Sequence, residues 1–181
     1  LRDAYEIADN QQAKQILIGL GDWFIELIKP LSTEQIQQVL NTEHGGINET
    51  FADLYIITKD KKYLDAAERL SHLKILNPLL EKQDKLTGLH ANTQIPKVIG
   101  FEKIGTLTHN NEWEHAADYF WHNVTEKRSV AFGGNSVREH FNPTNNFKEM
   151  LESNQGPETC NSYNMLRLTM ALFLNKNDVS Y

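Results

Sequence analysis

The chain has one cysteine, no cluster of basic residues, no long apolar run and no β-branched stretch with a period of two. Each absence removes a class of explanation. With Cys160 alone, an intrachain disulfide within these residues is excluded, so the thiol is either a small buried hydrophobe or a chemical group. No basic run is longer than two residues, as at Lys61-Lys62, and the formal net charge is -6, which disfavours attraction to phosphate backbones and anionic lipid. Neither nucleic acid nor membrane is therefore expected as a partner. No apolar stretch approaches the roughly 20 residues that span a bilayer. The chain opens Leu1-Arg2-Asp3-Ala4-Tyr5, with neither initiator Met nor signal-peptide pattern, which leaves the compartment open. Strands find little support. What is present, 181 residues at 40% hydrophobic and 23% charged, is the composition of a globular protein with one sizeable core.

A short motif recurs. Ile7-Ala8-Asp9-Asn10 is followed 50 residues on by Ile57-Thr58-Lys59-Asp60, and after another 50 by Leu107-Thr108-His109-Asn110. The match runs on, since Tyr63, Ala66 and Ala67 align with Trp113, Ala116 and Ala117. Repeats of this length usually mean stacked supersecondary units. Each copy reads as a polar turn between two helices, with a helical apolar period after it through Tyr63, Ala66, Ala67, Leu70 and Leu73, or through Trp113, Ala116, Ala117, Phe120 and Val124. The first copy continues to Lys29-Pro30, and Ser32-Thr33-Glu34-Gln35 supplies a capping-box start for a short helix to about Leu40.

Segments before the turns (47–57, 93–107 and 159–174) carry few charges, whereas those after them are charged on one face. Inner helices before each turn and outer helices after it explain the contrast, as in a toroid of helical hairpins. Tyr163, Met165, Leu166, Leu168 and Phe173 then read as core, and Pro96 should kink its inner helix or sit near its start. The expected class is all-α. Asn175-Lys176-Asn177-Asp178 looks like a fourth turn, and a closed toroid takes about six units. Residues 1–181 are therefore expected to be an incomplete barrel.

If the inner helices run the same way, the loops feeding them share a rim. They contain His44 and Glu49, His90, Asn92 and Gln94, then Asn135 and Glu139, then Glu158 and Cys160. A helix N-terminus stabilises anions, so a cysteine beside one favours its thiolate and with it soft-metal ligation. A zinc site wants about four ligands, and spacing alone does not separate a Glu-x-Cys ligand pair from a carboxylate beside a structural cysteine. His44 and His90 lie in Gly-containing rim segments, whereas His72, His109, His115 and His122, in turns or on outer helices, read as structural. Glu139 is equally a salt-bridge partner of Arg138.

Four motifs in order, His44-Gly45-Gly46-Ile47-Asn48-Glu49, the run from Leu89 through His90 to Gly100, Gly133-Gly134-Asn135-Ser136-Val137-Arg138-Glu139 and Glu158-Thr159-Cys160-Asn161, resemble the catalytic domain of the β-L-arabinofuranosidase group, glycoside hydrolase families 127 and 146, formerly a domain of unknown function. The resemblance spans essentially the whole chain. It implies an (α/α)6 barrel followed by β-sandwich domains, a retaining glycosidase acting on plant-type arabinose-containing glycans, and a secreted or periplasmic bacterial setting. It further implies Zn(2+) bound by Glu158, Cys160 and two later cysteines, one of which is the nucleophile, with Glu139 as general acid/base. By the same resemblance His90 contacts the sugar, with His44 and Glu49 as further candidates. Asn92, Gln94 and Asn135 are candidate hydroxyl partners by residue type. The later cysteine pair has no counterpart within these residues, so the isolated piece is expected to be inactive.

Two other readings stand beside this one. A sugar epimerase or polysaccharide lyase on the same toroid would use His44 and His90 for proton transfer without metal, and a noncatalytic helical-repeat module would bind partners on its surface. No feature of the sequence sets an oligomeric state.

Overall fold

The computed structural model describes residues 1–42 and 45–181. The helices, in chain order, are α1 (Arg2–Glu6), α2 (Gln11–Ile28), α3 (Thr33–Val39), α4 (Ile47–Thr58), α5 (Lys61–Arg69), α6 (Leu73–Leu80), α7 (Ala91–Thr108), α8 (Asn111–Thr125), α9 (Lys148–Glu152) and α10 (Ser162–Lys176). Between α8 and α9 lies a ribbon of two strands, β1 (Ser136–Val137) and β2 (His140–Phe141). The all-α expectation holds apart from this ribbon, whose strands are too short to carry any period in the sequence.

The repeated turns share one backbone device. At Asp9, Lys59, His109 and Asn177 the chain turns left-handed, with φ between 48° and 60°. The next residue is always Asn or Asp, and its side-chain oxygen takes an N–H of the following turn: Asn10 from Ala13, Asp60 from Lys62, Asn110 from Glu112 and Asp178 from Ser180. A left-handed residue ends one helix and an Asx cap starts the next, so four residues reverse the chain. The fourth copy has the same geometry as the other three.

The inner helices α4, α7 and α10 stand side by side, with α2, α5 and α8 outside them. They run parallel, because early residues pair with early and late with late. Asn164 Nδ2 donates to Asn92 Oδ1 (2.8 Å) near the starts of α10 and α7, and Asn175 Nδ2 donates to Glu102 Oε1 (2.8 Å) in their later turns. Their N-termini therefore lie at one rim. Close approach of α4 and α7 depends on two glycines: a Cβ on Gly46 would stand 2.6 Å from the Pro96 carbonyl oxygen, and one on Gly100 would overlap the Asn48 amide. That amide donates to the Lys97 carbonyl (3.0 Å), stitching the pair together. Pro96 sits in the second turn of α7, as its position suggested.

Two readings need correction. The outer helix expected to run from Tyr63 through Leu73 breaks after Arg69, and α6 starts afresh at Leu73. Gln37 on α3 substitutes for the lost helical bonds, donating to the Ser71 carbonyl (3.0 Å) and accepting from the Leu73 N–H (2.8 Å). Of the residues read as core on α10, Met165 and Leu168 are buried, but Tyr163, Leu166 and Phe173 are exposed, because α8 and α7 cover only one side of that helix. Of the two readings left open for Cys160, the buried small hydrophobe is excluded, since the residue is exposed.

Two apolar clusters form the core, one around α4 and α5 and the other around α6, α7 and α8, with Trp113 packed against both. Within this interior Glu102 is 1% exposed, and its Oε2 has no hydrogen-bond partner among the described residues. Burial raises its pKa to about 7, even though Asn175 donates to the other oxygen. The folded value lies above the ordinary 4.5, so the associated stability is full below about 4.5 and is lost as pH rises through about 7. Glu102→Gln is expected to flatten the decline across that window and to exceed the parent in stability above it, as read by denaturant unfolding at stepped pH.

Candidate active site

The ribbon occupies the rim between the loops that feed α7 and α10. Ser136 pairs with Phe141 and Val137 with His140, leaving Arg138 and Glu139 as a two-residue connection. A two-residue hairpin of the I′ type needs φ above zero at both connecting residues, a demand usually met by Asn-Gly. Here Arg138 (φ 48°) and Glu139 (φ 67°) meet it with side chains attached. A left-handed conformation costs a non-glycine residue about 1–2 kcal/mol, so the surroundings must hold it.

They do so from both edges. On one side the Glu139 carbonyl accepts from Ala91 N–H (2.8 Å), and Phe141 N–H donates to the Leu89 carbonyl (2.9 Å). On the other, Ser136 and Glu158 pair through their backbones, and Glu158 Oε2 accepts from both Ser136 Oγ (3.2 Å) and the Glu139 N–H (2.6 Å). Behind the ribbon, the fully buried Arg128 guanidinium donates to Asp84 through Nη2 (2.9 and 2.7 Å), to the Asn142 carbonyl through Nε and to the Asn123 carbonyl through Nη1. Burial works against ionisation of Asp84, but bonds from Arg128, Leu86 and Thr144 outweigh it and hold the carboxyl below its ordinary range.

Glu139 thus projects its carboxylate, mostly exposed, to within 3.6 Å of His90 Nε2. His90 caps α7 with its own ring, Nδ1 accepting the Thr93 N–H (3.3 Å). Only an unprotonated nitrogen accepts, so the ring proton sits on Nε2, toward the carboxylate. His140 packs edge-on against His90 with centroids 5.6 Å apart, and its Nδ1 donates to the Arg138 carbonyl, leaving Nε2 as an acceptor. A cleft of about 290 Å³ opens here, with His72, Gln94 and Lys97 also in its lining. A larger cavity of about 440 Å³ near α2 and α3 is lined mostly by aliphatic side chains and carries none of this chemistry.

The candidates from the sequence separate into groups. His90, Gln94 and Glu139 line the cleft, and Glu158 joins them through the Glu139 backbone. Asn92 is engaged by Asn164, and Asn135 is 1% exposed with its oxygen held by Asn161 Nδ2 (2.7 Å), so it braces the loop. Glu49 is buried among Arg2, Lys103 and Arg167, in an ion-pair group that ties α4 to α1, α7 and α10. His44 lies outside the described residues. Missing from the sequence reading are His140, His72 and Lys97. Lys97 left a trace, a charge within an otherwise apolar stretch of an inner helix; His140 directly follows Glu139; His72 was set aside because it aligns with His122.

Glu158 and Cys160 stand one residue apart before α10, a carboxylate and an exposed thiol of the donor types that zinc takes. Among the described residues no three His, Cys, Asp or Glu side chains gather as a metal site. These residues fit half of a tetrahedral set. For the strained turn, Glu139→Gly is expected to raise thermal stability by about 0.5–1 kcal/mol, since glycine adopts φ above zero without strain. Thermal melts of the variant and the parent, run side by side, read the difference.

Comparison with curated proteins finds no match. A family model described as β-L-arabinofuranosidase, GH127 catalytic domain, matches residues 1–181. Its helical-barrel fold agrees with parallel inner helices and hairpin turns, and its members are glycosidases whose substrates are carbohydrates. The chain belongs to the GH127 β-L-arabinofuranosidase catalytic-domain family of glycoside hydrolases.

Proposed function

We propose that this rim serves a retaining β-L-arabinofuranosidase acting on plant-type arabinose-containing glycans, with Glu139 as general acid/base. The observation that supports it most is the placement of Glu139, held on a left-handed two-residue turn at the mouth of a cleft, with the His90 N–H facing its carboxylate. Strain maintained at a single side chain by bonds from two loops is a mark of functional sites. Retention requires one group to protonate the leaving oxygen and later to deprotonate water. An exposed carboxylate at the cleft mouth reaches both the departing sugar and the entering water. His90 orients that carboxylate, while His140 Nε2 offers an acceptor to sugar hydroxyls.

In this reading Glu158 and Cys160 hold zinc together with two further cysteines, and one of those attacks the sugar. Zinc, when bound, keeps a coordinated sulfur deprotonated at neutral pH. Glu158 then has two duties, because the carboxylate that would face the metal also fixes the Glu139 N–H. Assembly of the nucleophile and placement of the acid/base are coupled through one side chain.

Two experiments on the full-length protein test this. Glu139→Gln should lower turnover of a chromogenic β-L-arabinofuranoside by about 10²- to 10⁴-fold while leaving the fold intact; parent-like turnover would remove Glu139 from the mechanism. Cys160→Ala should lower zinc content, measured by metal analysis, along with activity. Unchanged zinc would sink the ligand assignment and leave the acid/base role standing.

A further inference from the structure

At the floor of the cleft, polar side chains form a chain of hydrogen bonds that the hydrolytic roles above do not use. Lys97, 3% exposed, directs Nζ to Gln94 Oε1 (3.0 Å) and to His72 Nδ1 (3.2 Å). The other end of the Gln94 amide, Nε2, donates to the His90 carbonyl (3.3 Å) and to Thr93 Oγ1 (2.9 Å). His72 Nε2 faces Asn41 Oδ1 (3.3 Å).

The two ends of a glutamine amide have nearly the same shape and opposite hydrogen-bond character. An ammonium has donors only, so it accepts the oxygen end and rejects the nitrogen end. Lys97 therefore decides which way Gln94 points, and the remaining nitrogen meets the His90 carbonyl. A donor at His72 Nδ1 leaves that nitrogen unprotonated and places the ring proton on Nε2, where Asn41 supplies an acceptor. His90 is held at its carbonyl by Gln94 and at its ring by the Thr93 N–H, and its Nε2 faces Glu139.

We propose that Lys97 is a positioning residue of the active site, holding the His90 imidazole against Glu139 through the Gln94 amide and setting the ring proton of His72 on Nε2. The proposal rests on the reading of Glu139 as acid/base. Burial, with a smaller push from Lys74, brings the Lys97 pKa down to about 8, so the ammonium persists at neutral pH. The helix needs no cation there, since an apolar side chain would satisfy the packing of α7 without the cost of burying a charge.

The test uses the full-length protein, a chromogenic β-L-arabinofuranoside, and the variants Lys97→Met, Gln94→Leu and the two combined. Each single change should lower kcat by about 10- to 100-fold with KM moving less than threefold. The combined variant should lose no more than the worse single one, because both break the same relay. Parent-like kcat in Lys97→Met, or losses that multiply in the double variant, overturns the proposal. If Lys97→Met fails to fold, Gln94→Glu decides: it keeps an acceptor for the ammonium but removes the donor to the His90 carbonyl, so kcat should fall as in Gln94→Leu, and parent-like kcat overturns the relay. Independently of turnover, ¹⁵N-histidine spectra of the parent should show His72 protonated on Nε2. Protonation on Nδ1 overturns the hub, whereas the expected tautomer in a protein inactive on every arabinofuranoside supports the hub and sinks the hydrolase reading alone.

Discussion

A guanidinium withdrawn completely from water must find acceptors for its donors, and the loops around Arg128 are arranged to provide them. Asp84 comes from the segment that leads into α7, the Asn142 carbonyl from the exit of β2, and the Asn123 carbonyl from the end of α8. Thr144 Oγ1 adds a bond to the same carboxylate (2.9 Å). Three stretches distant in sequence are thereby pinned to one cation, and the ribbon that carries Glu139 lies among them. Removing one partner of a buried pair costs about 3–5 kcal/mol, because the other charge is left without compensation. The interaction is thus a weak source of net stability and a strong determinant of where the loops can go. The rim inherits its geometry from that restriction.

The same logic runs through the rest of the rim. Glu139 occupies a conformation that its side chain disfavours, and bonds from Ala91, on one flanking loop, and Glu158, on the other, keep it there. Those two loops feed α7 and α10, whose parallel packing is set by Asn92 with Asn164 near their starts and Glu102 with Asn175 in their later turns. Hairpin repeat, parallel inner helices and strained turn are successive consequences of one architecture. The barrel brings loops to a common edge, and the loops hold one carboxylate in place.

Much of this architecture was legible in the sequence because it depends on local chemistry. A left-handed residue followed by Asn or Asp leaves a four-residue signature, and it recurs often enough for the sequence alone to reveal the hairpins. The capping box at Ser32 and Gln35 formed as read. The break at Leu70 to His72 was hidden, because it is stabilised by Gln37, more than 30 residues away, while the local apolar period continues across it. The ribbon was hidden for a related reason: strands of two residues carry no alternation, and their pairing is determined by the loops on either side. Family motifs gathered His90, Glu139, Glu158 and Cys160, yet the burial of Glu49 among three cations depends on helices that meet only in the folded chain.

Lys97 shows where sequence reasoning stops and what takes over. On an inner helix with few charges, a lysine in the apolar run from Ile95 to Phe101 looks like an exception, and composition cannot say whether it is solvated, paired or functional. The fold places it against two groups that can each present either a donor or an acceptor, the Gln94 amide and the His72 imidazole. A cation with donors only removes that ambiguity in both. The cost of burying it is offset by ordering neutral polar groups that would otherwise have several arrangements of similar energy, and the His90 ring, with the Glu139 carboxylate beside it, stands at the end of that ordered chain.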